Sequence, residues 1–368
     1  MAATNHKIRE LIRGERKRLI AIAVLAFVIF LLIIISGHPH FIERYYSEGL
    51  YPVICHILHP VLGVLPFSVG DLIYITVIIW LIYAIIKTIK HAFKKEFKRV
   101  FILFAGIVIG IETGFLLFYL FWGMNYFRPS AGELLNLRDS TYTTADLKAV
   151  AKIMIDSANA TRARVSPADL NQPNAAIYQT AENAIRKLSA GSATFRTYSP
   201  AIKPSLLTPL LNYMGTSGYF NPFTGESQSN YQMPVFNRPV VACHEMSHQM
   251  GFGAEDEADF VGFLAGIGSK DRLLRYSAYH LAVDEFMRSL YFRDTSANRE
   301  LKRIVSPTVH HDFVVERAYW LSYQSRIDEL TGIFYDKFLK VNNQPHGLAT
   351  YNRMVLLVMA QYRRSLVH

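Results

Sequence analysis

Residues 237–265 read NRPVVACHEMSHQMGFGAEDEADFVGFLA, and the reading of the whole chain turns on this stretch. Pro239 suits the first turn of a helix, where its missing N–H is not needed, with Asn237 as the cap. The helix is expected to run to Met250 and to stop at Gly251, a residue that readily takes the left-handed conformation closing a helix. His244 and His248 are four residues apart, so both imidazoles lie on one face and can share one zinc ion. Glu245 falls on the adjacent face, where a carboxylate can take a proton from a water that the metal activates without being a ligand itself. A second helix is expected to begin near Glu255, which puts Glu255 and Asp259 one turn apart on the same face.

A Glu ligand followed one turn later by another acid resembles the glutamate zincins, the superfamily of thermolysin and of the prenyl-protein peptidases. The resemblance implies Glu255 as the third metal ligand and Asp259 as the acid that orients a ligand histidine. The link differs, however. It is a short turn around Gly251 and Gly253, closer in length to the metzincin pattern H-E-x-x-H-x-x-G-x-x-H, whose last His would align with Ala254. Ala254 cannot bind metal and Glu255 follows it. Glu257 is the rival, but it would point away from the face that carries Asp259. The bland alternative is a helix with surface histidines beside a charged turn. It requires two His, the Glu between them, a helix-ending Gly and an acidic helix start to coincide.

Working outward, the composition is 51% hydrophobic with a mean hydropathy of +0.15, which directs attention to membrane spans. Residues 19–37 (LIAIAVLAFVIFLLIIISG) are almost unbroken apolar sequence, too long for a signal peptide and without a small-residue cleavage site after them. Residues 72–89 form a second span, with Lys87 able to snorkel, and residues 100–122 a third. The apolar stretch 53–67 contains Pro60, Pro66, Gly63, His56 and His59, so it is expected to lie at the interface or re-enter rather than cross. Residues 87–99 hold six Lys/Arg against one Glu, and the N-terminus is basic as well. The positive-inside rule places both in the cytoplasm, so the third span exits and residues from 125 onward face the other side. The net charge of +10 therefore reflects topology, with no nucleic-acid partner implied. Cys55 and Cys243 are no disulfide framework, and Cys243 reads as a packing residue. Glu112, inside the third span, reads as a neutral or paired acid between helices.

Two domains are expected: a membrane domain over 1–124 and an extracytoplasmic domain over 125–368. The fold class is mainly α, with a mostly helical zincin-like domain and a small hairpin or short sheet. Helical spacing marks DLKAVAKIMIDSANA, capped by Thr144, NAAIYQTAENAIRKLSA, and two stretches after the metal motif, 271–292 and 312–341. Residues 215–233 are rich in Gly, Asn, Ser and aromatics and suggest strands around Thr224-Gly225-Glu226. Gly218, Tyr219, Phe220 and Asn221 are the candidate edge strand that aligns an extended substrate, with a packing loop as the even alternative. His310, His311, Tyr319, Tyr323 and Tyr351 are available to stabilise an oxyanion. Trp122, Asn125, Tyr126 and Arg128 read as residues of the outer membrane boundary.

The segments FWGMNYFRPS, GYFNPFTGESQSN, CHEMSHQMGF with EDEADF, and FLKVNNQPHGLATYNRMV together resemble a domain-of-unknown-function family of bacterial multi-pass membrane proteins. The resemblance implies a zinc-metallopeptidase-like domain behind N-terminal helices of the bacterial inner membrane. The expectation is a membrane-anchored zinc peptidase acting on envelope or other extracytoplasmic polypeptides. The alternative is a non-catalytic membrane protein whose zinc site stabilises a binding domain.

Overall fold

The computed structural model describes residues 15–137, 141–344 and 353–367. It is mainly α-helical, with one small sheet. Among the described residues, three helices are long and apolar enough to cross a membrane: α1 (Arg16–Ser36), α3 (Val69–Phe93) and α4 (Phe97–Phe121). Each begins three residues before the expected span. Ser68 caps α3 by accepting from the Asp71 N–H, and Lys90 and His91 fall in its last turn, so polar residues extend the helix past its apolar core. α1 and α3 both pack on α4. Glu112 is partly buried on α4, with one carboxylate oxygen lacking a hydrogen bond among the described residues.

The stretch expected at the interface is a 13-residue helix, α2 (Tyr51–Gly63), entered through a π-helical segment, Glu43–Leu50. It has two faces. Tyr51, Cys55 and His59 are buried against the rest of the protein, while Val53, Ile57 and Val61 are exposed. Tyr51 Oη donates to the Gln249 carbonyl (2.8 Å) and His59 Nδ1 meets the Tyr198 carbonyl (2.7 Å). The chain between the first two spans thus bonds directly to the body that follows the third.

Beyond the spans, α5 (Thr144–Arg162), α6 (Asn174–Gly191), α7 (Arg238–Gln249), α8 (Glu255–Ile267) and α9 (Arg272–Arg293) form the centre. Thr143, not Thr144, caps α5, through a reciprocal box with Asp146. The α7–α8 pair runs between two apolar cores. Val240, Phe260 and Phe263 face one, with Met154, Ala282 and Phe286. Ala242, Cys243, Met246 and Val261 face the other, with Ile177, Ala181 and Tyr276. Cys243 is a packing residue in this second core. The long helix expected over 312–341 is broken at Gln324–Ser325 into α10 (Pro307–Tyr323) and α11 (Arg326–Val341), where Ser325 Oγ accepts from the Ile327 N–H. α12 (Arg353–Val367) follows.

The expected hairpin is present as β2 (Gly218–Asn221) and β3 (Glu226–Ser229), antiparallel with Tyr219 opposite Gln228. A third strand that the residues did not announce, β1 (Ile202–Pro204), joins β3 in parallel, giving the order β1-β3-β2. β3 joins this sheet to the spans. Glu226 accepts from the Val69 and Gly70 N–H groups (3.2 and 2.7 Å) at the start of α3 and pairs with buried Lys203 (2.7 Å). That carboxylate meets the helix N-terminus where orphan donors and the positive end of the dipole favour an anion.

α7 ends as expected. Met250 is its last cap and Gly251 takes φ +86°. A Cβ at Gly251 would also stand 3.1 Å from Asn125 Oδ1 and 3.2 Å from Arg128. Gly251→Ala should therefore cost about 1–3 kcal/mol, seen as a lowered thermal unfolding midpoint in detergent; an unchanged midpoint would show that the link relaxes freely.

Candidate metal centre

α7 is buried on nearly all sides, so its polar side chains must find partners inside the protein. Its start departs from the expected cap: Asn237 makes no capping bond and its amide reaches Glu316 instead. The Val240 N–H is satisfied by Ser277 Oγ of α9 (3.1 Å). Lower on the helix, Ser227 Oγ of β3 donates to the Glu245 carbonyl (2.8 Å). Trp122, the residue that ends α4, donates Nε1–H to the His248 carbonyl (2.8 Å). The helix is therefore fastened to the sheet on one side and to a membrane span on the other.

His244, Glu245 and His248 bring their ligand atoms within 4.8 Å of one another. The Nδ1 atoms of both histidines are engaged. That of His244 bonds Asp259 Oδ1 (2.7 Å) and that of His248 bonds the Phe252 carbonyl (2.7 Å). Both acceptors require Nδ1 to carry a proton, which leaves Nε2 of each ring to face the site. Both Nε2 atoms aim at the Glu255 carboxylate, at 3.2 Å for His244 and 3.8 Å for His248. Tyr335 Oη of α11 donates to Glu255 Oε1 (2.6 Å).

Two imidazole lone pairs and a carboxylate facing one another repel unless a cation lies among them. Without metal, that cation is a proton on His244. Burial opposes it, but Asp259 and Glu255 together hold the His244 imidazole well above its ordinary range. Burial keeps His248 below its own range. Burial would also raise Glu255, yet the two imidazoles and Tyr335 pull it down to about 2. A tetrahedral zinc with bonds of ordinary length separates its ligand atoms by about 3.3 Å, and the two observed Nε2–carboxylate separations straddle that figure. The residues fit a metal of this class.

Glu245 is placed differently. Burial pushes its carboxyl up to about 8, with His244 opposing and Glu255 and Asp259 adding to the shift. Among the described residues no group donates a hydrogen bond to that carboxylate. It lies against β2, where a Cβ on Gly218 would come 2.7 Å from Glu245 Oε1. Phe220 of β2 packs on Trp122 (ring centroids 4.9 Å) and on His248 (6.3 Å).

The structure thus brings His244, Glu245, His248, Glu255, Asp259 and the strand Gly218–Asn221 together. Glu257 lies elsewhere, accepting from the Ala131 N–H (2.7 Å). Of the oxyanion candidates, His310 and His311 are exposed, Tyr319 bonds Asn212 (2.6 Å), and Tyr323 packs edge-on against Tyr213. Tyr351 lies outside the described residues. Two features escape the sequence reading. Tyr335 stands 80 residues from its partner, with no local pattern to mark it. The boundary residues Trp122 and Asn125 are buried at 3% and 1% exposure, and Arg128 is bound to Glu43 (2.7 and 2.6 Å) and to the Gly251 carbonyl (3.3 Å). They clamp the end of α7 rather than line a membrane surface, because aromatic composition alone does not distinguish the two roles.

The Asp259–His244 bond carries a direct test. Asp259→Asn keeps the shape but removes the charge that orients and polarises the imidazole. Zinc affinity by competition with a chelating dye should fall about 10–100-fold; unchanged affinity would place Asp259 outside the centre.

No curated protein and no solved structure matches the chain. One family does, over residues 46–359, a span that begins in the π-helical segment, contains the second and third spans, the sheet and the whole candidate centre, and ends in α12. The chain belongs to DUF3810, a family described as protein of unknown function.

Proposed function

We propose that this protein is a membrane-embedded zinc peptidase with a zincin-like centre. One observation carries the reading: two histidines four apart on a helix, each with Nδ1 anchored, direct both Nε2 atoms at one buried carboxylate. His244, His248 and Glu255 would hold the metal, with Asp259 and the Phe252 carbonyl fixing the two rings. Bound there, zinc supplies Lewis-acid polarisation of a water and of a peptide carbonyl.

The protein's own groups do the rest. Glu245 takes the proton from the attacking water and delivers it to the leaving amine. Burial holds its carboxyl high even with the His244 imidazole opposing the shift; a divalent cation held between the histidines would lower it further, toward the range of a base at neutral pH. β2 is an edge strand of the sheet, paired through β3 alone among the described residues. An extended peptide added to its open edge would lie beside Glu245, with Gly218 leaving room for the carboxylate.

Charge and connectivity support an extracytoplasmic centre. The start of α3 and the end of α4 meet the body that carries the centre, through Glu226 on the start of α3 and through Tyr46 Oη on the Leu120 carbonyl (3.1 Å) and Trp122 on the His248 carbonyl at the end of α4. The basic turn between α3 and α4 is at their opposite ends. Positive-inside placement then puts the N-terminus and that turn in the cytoplasm and the centre outside it, in a bacterial inner membrane. The centre meets the last residue of a span directly. This differs from a site held away from the bilayer by the more than one hundred residues that separate α4 from α7, and it favours peptide bonds close to the membrane surface.

The test is metal analysis of purified protein with cleavage of a peptide library. One zinc per chain is expected, with Glu245→Gln retaining zinc while cleavage falls at least about 100-fold. Bound zinc without Glu245-dependent cleavage would leave a structural metal site; folded protein with no zinc would remove the proposal altogether.

A further inference from the structure

α11 reaches the candidate centre through Tyr335, and its two faces make different demands. The inward face carries Tyr335, bonded to Glu255, and Leu339, which is fully buried. The outward face carries Ile327, Leu330, Ile333, Phe334 and Val341, spaced along one stripe of the helix. Leu330, Phe334 and Val341 are 67%, 73% and 66% exposed. A helix polar on its outer face is the rule for a domain bathed in water, and a stripe of this size is not left to solvent without a cost.

The height of α11 relative to the spans is fixed by its C-terminal half. Phe338 packs edge-on against Phe118 of α4 (6.0 Å) and against Tyr126 (6.1 Å). Tyr119 Oη lies 3.4 Å from Asn342 Oδ1. Phe118 and Tyr119 belong to the last turn of α4, so the C-terminal half of α11 meets the end of that span. Arg326 and Lys337, both exposed, lie on the same side of the helix as the stripe, as expected where basic groups reach phosphates from an apolar bed. A second, independent strip sits at the start of the other span. Leu206 and Leu210 are exposed, and the Leu206 N–H donates to Asp71 in the first turn of α3 (2.7 Å). Exposed apolar side chains of the body thus gather where it meets α3 and α4.

We infer that α11 is a membrane-surface helix whose outer face lies in the boundary between lipid headgroups and acyl chains, next to the outer end of α4. Its occupant is bilayer lipid, and the element that bonds Glu255 is therefore also in contact with the membrane. The inference depends on the spans crossing a bilayer and not on peptidase chemistry, so it stands or falls separately from the proposed activity.

The experiment uses the full chain in lipid nanodiscs, free of metal and substrate. Phe334→Cys is labelled with an environment-sensitive fluorophore; Cys55 and Cys243 are fully buried and remain unlabelled. Lys302→Cys, on an exposed site far along the chain from α11, is the control. At Phe334 the expected result is blue-shifted emission, quenching by lipids brominated near the top of the acyl chain several-fold stronger than at Lys302, and weak quenching by aqueous iodide. Iodide quenching equal to the control would overturn the inference. So would shielding from both quenchers, which would mean that a protein surface, such as a second copy of the chain, covers the stripe. Leu330→Cys, on the same stripe, gives the same readout should Phe334→Cys fail to fold.

Discussion

A buried carboxylate faced by two imidazole nitrogens has to be reconciled with a positive charge. Glu255 is in that position, and much of the surrounding structure serves to hold it there. Asp259 and the Phe252 carbonyl fix the rings, so that neither can turn away. Tyr335 binds the carboxylate from a separate helix. The short link around Gly251 brings α8 back along α7 at once, which places Glu255 seven residues after His248 and still opposite it. In a site this dry, desolvation of each charge is large, and only mutual placement offsets it.

The same helix is held by the membrane part of the molecule. Trp122 binds the His248 carbonyl from the end of a span, Tyr51 binds the Gln249 carbonyl from the helix between the first two spans, and Arg128 ties the Gly251 turn to Glu43. On the far side, β3 touches Glu245 through Ser227 and touches the start of α3 through Glu226. The centre is thus gripped between two spans through the backbone of its own helix. Such a grip keeps the positions of His244, Glu245 and His248 fixed. The spans thus take part in the framework that holds this helix.

Local patterns made a good part of this legible from residues alone. Apolar runs must be helical in lipid, because no water is present to satisfy the backbone, and the three spans could be read to within a few residues. The i, i+4 histidines and the helix-ending Gly251 belong to a single helix and its stop, so periodicity and one conformational preference sufficed for α7. That Glu255 and Glu257 face different ways followed from angle along one helix, and the structure sets the two on different partners. The hairpin was marked by its turn residues, whereas β1 was not, since three residues pairing in parallel carry no periodicity of their own.

What the sequence by itself determined, then, is what one element can state about itself: the spans, the helix with its two histidines and acid, the turn after it, and membership of a helical membrane fold. What only the tertiary structure decided is what distant elements do to one another. Tyr335 on Glu255, Trp122 on His248, Glu226 on the start of α3 and the break that frees α11 to reach the centre all join residues 80 or more positions apart, the break excepted. The physical reason is that a hydrogen bond or ring contact across such a separation is paid for by the packing of the whole core, and leaves no trace in the neighbouring residues of either partner.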